Sequence, residues 1–87
     1  MRYYKTTDIG LASALIATGE ELIETQKDYN NPRVFFVFDS RVEDKSEDYY
    51  ASRLQVDAST LVKEMRNLKS IIFNQRGEDE KNNSYNR

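Results

Sequence analysis

The sequence predicts an α+β fold: a small three-stranded, mostly antiparallel sheet with three helices, in the order β-α-β-β-α-α. Three observations carry that reading. First, nothing between Asp8 and Glu20 is charged, in a chain where 32% of residues are, and the apolar residues of this stretch recur at helical spacing. Second, Val34-Phe35-Phe36-Val37-Phe38 is an unbroken run of strand-forming residues. Third, the segment from Ala58 to about Asn74 repeats apolar residues with the period of an amphipathic helix.

Taken in order, Arg2-Tyr3-Tyr4-Lys5-Thr6 reads as a short first strand rich in aromatic β-formers. Thr6 or Thr7 can N-cap the uncharged helix, with Asp8 well placed at its positive end. On that helix Ile9, Leu11, Ala12, Leu15 and Ile16 form one broad apolar face, and Gly10, Ser13, Ala14 and Ala17 form an opposite face that is small rather than polar. A helix with one solvated side normally carries Lys or Glu there, so this helix is expected to be covered on both sides. Gly19 fits the left-handed position that ends it. Glu21 to Thr25 reads as the second strand. Lys27 to Pro32 is a polar turn, and an antiparallel hairpin then leads into Val34–Phe38. That last strand is apolar on both faces and is therefore predicted to be central.

Ser40-Arg41-Val42-Glu43 matches a capping box, S-x-x-E, at the head of a second helix expected to reach about Arg53. Val42, Ser46, Tyr49, Tyr50 and Leu54 would face inward. Leu54 to Val56 could add a short fourth strand. Asp57 is a good N-cap for the third helix, and Val56 with Leu61 has the spacing of a hydrophobic staple. Its stripe is Ala58, Leu61, Met65, Leu68 and Ile72, flanked by Val62 and Phe73. These aromatic, Met and Leu positions read as core, and no cofactor is expected. The expected division is one domain over 1–76 and a flexible polar tail over 77–87, where Glu78-Asp79-Glu80-Lys81 begins a stretch without period.

Composition narrows the function. An apolar content of 38% over 87 residues implies a thin core, which homodimerisation would enlarge. A formal charge of −2 runs against sequence-blind attachment to phosphate backbones. The absence of His and Cys removes the commonest acid/base group, the commonest metal ligand and any disulfide framework. No apolar run approaches the length of a membrane span and no signal-peptide pattern opens the chain, so a cytoplasmic protein is expected.

Lys5 to Leu15 followed by Gly19, then Val34 to Asp39, Asp48-Tyr49-Tyr50, Val56-Asp57-Ala58 and Leu68 to Ile72 occur in an order that resembles an uncharacterised family. That family consists of small domain-of-unknown-function proteins of phages, plasmids and other mobile elements of bacteria and archaea. The resemblance covers about residues 3 to 74. It assigns no activity. It implies a setting, that of a small accessory protein of a mobile element.

Three candidate sites arise from the residues themselves. The acidic run Asp39, Glu43, Asp44, Glu47, Asp48 could hold Mg²⁺ for phosphodiester chemistry, and Glu43-Asp44-Lys45 spells the E-x-K of one nuclease class. That motif belongs on a strand, however, and here it opens a helix, where a charged first turn is ordinary. No metal site is therefore assigned. Arg2, Tyr3, Tyr4 and Lys5 interleave cations with aromatics as a stacking platform for nucleic acid would, and Lys63 with Arg66 adds an exposed ridge; Lys69 falls beside Val62. Gly10, Ser13, Ala14 and Ala17, together with Tyr49 and Tyr50, could seat a protein partner; burial within the fold explains the same small residues equally well. Ser59 and Lys63 lack any oxyanion-hole context, and the three glycines form no phosphate loop. The expectation is a non-catalytic accessory or regulatory binding module acting through protein contact or self-association. Nucleic-acid binding is the alternative and a metal-dependent nuclease a distant third.

Overall fold

The computed structural model describes residues 2–28 and 30–84, with side chains described through Asn74. In chain order it contains β1 (Tyr3–Thr6), α1 (Ile9–Ala17), β2 (Glu24–Lys27), β3 (Val34–Asp39), a 3-10 turn over Ser40–Val42, α2 (Glu43–Tyr50) and α3 (Ala58–Ser84). Strand β3 lies between β1 and β2 and pairs antiparallel with both. β1 and β2 therefore run parallel to each other and are joined through α1, giving a split β-α-β unit with β3 inserted. Among the described residues no strand forms near Leu54–Val56.

Strand alternation sorts the sheet into two faces. Tyr4 and Thr6 stand opposite Phe38 and Phe36, on the face that meets the helices. Val34, Phe36 and Phe38 form one core with Leu11, Ala12 and Leu15 of α1, Val42 and Leu68 of α3. Val37 points to the other face yet is only 2% exposed. It is bracketed by its cross-strand neighbours Lys5 and Glu24, whose aliphatic stems can shield it. The doubly apolar strand is thus central, as its pattern predicts.

Helix α1 is enclosed. Leu11, Ala12, Ser13, Ala14 and Leu15 are all at 0% exposure. The Ser13 hydroxyl donates to the Ile9 carbonyl at 2.7 Å, so burying it leaves no unmet polar group. The N-cap is Asp8, not Thr6 or Thr7: its carboxylate accepts from the Leu11 amide at 3.1 Å. Thr6 is still held in the strand opposite Phe36, and its hydroxyl accepts from the Asp8 amide instead. At the far end the Gly19 amide bonds to the Ile16 carbonyl and the Glu20 amide to the Leu15 carbonyl, a Schellman closure with Gly19 at φ +102°.

Other boundaries differ from the sequence pattern. β2 begins at Glu24, not Glu21, because the partner register on β3 selects which residues pair. The Ile23 amide still bonds to the Val37 carbonyl at 2.8 Å. The predicted capping box does not form. Asp39 caps the 3-10 turn by accepting from the Arg41 amide, and α2 continues directly from that turn without a side-chain cap. α2 stops at Tyr50, short of Arg53, through a second Schellman closure in which Ser52 takes φ +62° and the Arg53 amide reaches the Asp48 carbonyl. Val42 of the 3-10 turn and Ser46 of α2 are buried and Tyr49 is half-buried, but Tyr50 is 61% exposed.

Asp57 does cap α3, accepting from the Thr60 amide at 2.9 Å. Hydrogen bonds from the Thr60 and Ser59 hydroxyls hold its carboxyl below the usual range. α3 does not end near Asn74 but continues through Ser84; of the segment 77–87, positions 85–87 lie outside the described residues. Of the predicted stripe Leu68 is buried and Leu61, Met65 and Ile72 are half-buried, whereas Ala58, Val62 and Phe73 are exposed.

Gly19→Ala forces an L side chain into the left-handed region, at a cost of about 1–2 kcal/mol. Urea unfolding should show a loss of that size. An unchanged midpoint would contradict the Schellman assignment.

Candidate functional site

β1 cannot present Arg2, Tyr3, Tyr4 and Lys5 as one platform. Alternation places Tyr3 and Lys5 on the sheet face away from the helices, whereas Tyr4 packs against the core beside α1 and α2. Lys63 and Arg66 are exposed on α3, which belongs to the helical side of the sheet. The predicted nucleic-acid set is therefore split between two sides of the molecule.

The small face of α1 is used within the fold. Ser13 and Ala14 are fully buried and Gly10 and Ala17 are half-buried. Gly10 lies against a side chain of α2: a Cβ built on it would lie 2.5 Å from the Tyr49 hydroxyl oxygen. Tyr49 and Tyr50 meet edge to face with ring centroids 5.2 Å apart. The Tyr50 hydroxyl donates to Asp8 at 2.7 Å. That bond, with burial adding, pushes the Tyr50 phenol up to about 12. Asp8 thus caps α1 with one carboxylate oxygen and ties α2 to it with the other.

The opposite end of α1 carries a second tether that sequence reasoning missed. Lys45 on α2 contacts Glu20 at 2.7 Å and donates to the Thr18 carbonyl at 3.2 Å and the Thr18 hydroxyl at 3.3 Å. Arg41 approaches Glu20 at 3.4 Å. A cation on the last carbonyls of a helix is favourable. The Lys45 hydrogen bond, opposed in part by burial, holds the Glu20 carboxyl below its usual range. No local signal could have found this network, because Lys45 and Thr18 are 27 positions apart.

The acidic run does not converge. Asp39 caps the turn after β3, Asp48 pairs with Arg53 at 3.1 Å, and Glu43, Asp44 and Glu47 are exposed on α2. Among the described residues no three carboxylates gather into a group that could hold a metal ion. A pocket of about 240 Å³ lies where the β2–β3 turn meets α3, lined by Thr7, Pro32, Arg33, Val34 and Ile72. Its charged member, Arg33, lies 3.6 Å from Asp28.

Two exposed helix faces remain. Val62, Arg66, Lys69 and Phe73 recur at i, i+4, i+7 and i+11 on α3, one continuous ridge. Val62 is 46% exposed and Phe73 73%, and Lys63 borders them. Glu43, Glu47 and Tyr50 recur at i, i+4 and i+7 on α2, bordered by Asp44. Among the described residues no ion pair reaches any of these six charged side chains. Among them, too, no helix is long and apolar enough to cross a membrane.

A family model described as a domain of unknown function, DUF5659, matches residues 1–74. The chain belongs to that family. No curated protein and no solved structure matches it.

The Lys45 tether has a pH signature. Lys45→Met should cost about 1 kcal/mol at neutral pH. The Glu20 share of that loss is complete above the carboxyl's ordinary value of 4.5 and disappears as pH falls through its lowered folded value. The gap between wild type and Lys45→Met, read from urea midpoints, should therefore narrow below pH 4.5. A gap that is constant or widens on acidification would contradict the Glu20–Lys45 assignment.

Proposed function

We propose that this chain is a non-catalytic accessory or regulatory binding module acting through protein contact, and that it serves a mobile genetic element. The observation that carries the contact reading is the α3 ridge, where Val62 and Phe73 stand 46% and 73% exposed at either end of Arg66 and Lys69. Large exposed apolar residues in company with Arg are a composition suited to protein interfaces. Catalysis is less well supported, since Asp8, Asp39 and Asp57 are occupied as helix or turn caps and the remaining carboxylates of the acidic run are spread over α2. The mobile-element setting rests on the order of sequence motifs alone.

Nucleic-acid binding is the second reading, favoured by the unpaired Lys63, Arg66 and Lys69 on one side of α3. Three cations would give a shallow salt dependence, and the chain's net charge of −2 opposes it. Fluorescence anisotropy of labelled single- and double-stranded DNA and RNA separates the two. The contact reading predicts no saturable binding up to about 10 µM protein at physiological salt. Saturable binding that weakens with salt, and is lost on Lys63→Ala with Arg66→Ala, would replace it.

A further inference from the structure

We infer that the α3 ridge is a docking surface for the acidic face of α2 on a second copy of this chain. The inference rests on the protein-contact reading and names its partner.

Complementarity is the first argument. Lys63, Arg66 and Lys69 on α3 and Glu43, Asp44 and Glu47 on α2 are exposed, and no ion pair among the described residues satisfies any of them. Among the described residues, Arg41, Lys45 and Arg53 are engaged within the fold, the first two with Glu20 and the third with Asp48. These two sets are equal in number, opposite in sign and carried on two different helices; Glu64 of α3 lies off the cationic ridge, where its carboxylate accepts from the Asn67 side chain. The two sets do not meet within one chain, because α2 and α3 each spend their inner face on the core around α1.

Dimensions are the second argument. At about 1.5 Å rise per residue, the eight residues of α2 span about 12 Å. Val62 and Phe73 are separated by about 16 Å on the same measure. One α2 therefore fits between those two apolar residues, with its carboxylates over Arg66 and Lys69. Tyr50, 61% exposed at the end of the acidic ridge, offers a ring for Phe73 or Val62. The contact would combine charge register at its centre with apolar and aromatic cover at its ends. Each copy carries both surfaces, so copies can associate through them either reciprocally or head to tail.

Sedimentation velocity on two charge-reversed variants tests this. One carries Glu43→Lys, Asp44→Lys and Glu47→Lys; the other carries Lys63→Glu, Arg66→Glu and Lys69→Glu. Wild type should self-associate at about 100 µM in low salt and weaken at least tenfold between about 50 and 500 mM NaCl, since exposed charges are screened. Each variant alone should be monomeric, while their equimolar mixture should associate, because the reversed faces now match across copies. Phe73→Asn in the wild-type background should weaken association at least tenfold, which attraction by net charge alone would not require. Far-UV circular dichroism checks that each variant folds, and the salt and Phe73→Asn arms decide the question if one does not. A monomeric wild type, association indifferent to salt or to Phe73→Asn, or a mixture of folded variants that stays monomeric overturns self-docking. None of these results touches the broader contact reading, which the nucleic-acid titration judges.

Discussion

Helix α1 is short, uncharged and buried on every side from Leu11 to Leu15, and the rest of the fold is arranged to enclose it. Its apolar side meets Phe36 and Phe38 of the sheet and Leu68 of α3. Its small side lets α2 approach closely enough that a single methyl group on Gly10 would meet the Tyr49 hydroxyl. Interiors at crystal-like density do not absorb added volume without strain. The missing side chain at Gly10 therefore leaves the space that the Tyr49 hydroxyl occupies beside α1. With 38% apolar residues, the protein has little other core to rely on.

Both ends of α1 are fastened by polar groups from α2. Asp8 caps the first turn and accepts from Tyr50, and Lys45 covers the last carbonyls while pairing with Glu20. These tethers consume the charged and aromatic residues nearest the core and leave the outward ridges of α2 and α3 with unpaired charge. Separation of structural from surface charge follows from helical periodicity: on α2, Lys45 and Tyr49 turn in while Glu43 and Glu47 turn out. The function proposed for this family member draws on those outward ridges.

Much of the fold was legible because its strongest signals are local. The absence of charge over residues 9–19, the apolar run at 34–38 and the turn chemistry of Gly19 and Asp57 each dictate one element. What sequence did not reveal depends on distant partners. Glu21 to Ile23 has strand propensity but falls outside β2, because β3 sets the register. Ser40 looks like a helix cap, yet the better acceptor, Asp39, sits one residue earlier on the same turn. Tyr50 shares the apolar spacing of α2 and still faces outward, held by a carboxylate 42 positions away. The β1 residues of the predicted nucleic-acid set divide between two faces for a simpler reason: adjacent strand residues point to opposite sides of a sheet, as Tyr3 and Tyr4 do.

Native-state hydrogen exchange would test the central claim, that α1 is the enclosed pillar of the structure. Amides from Leu11 to Leu15 and from Phe36 to Phe38 should exchange only through global unfolding, with the slowest rates in the chain, while α2 amides exchange faster through local opening. If α1 amides exchanged as fast as those of α2, the helix would open independently of the sheet, and the account of the fold as built around it would be wrong.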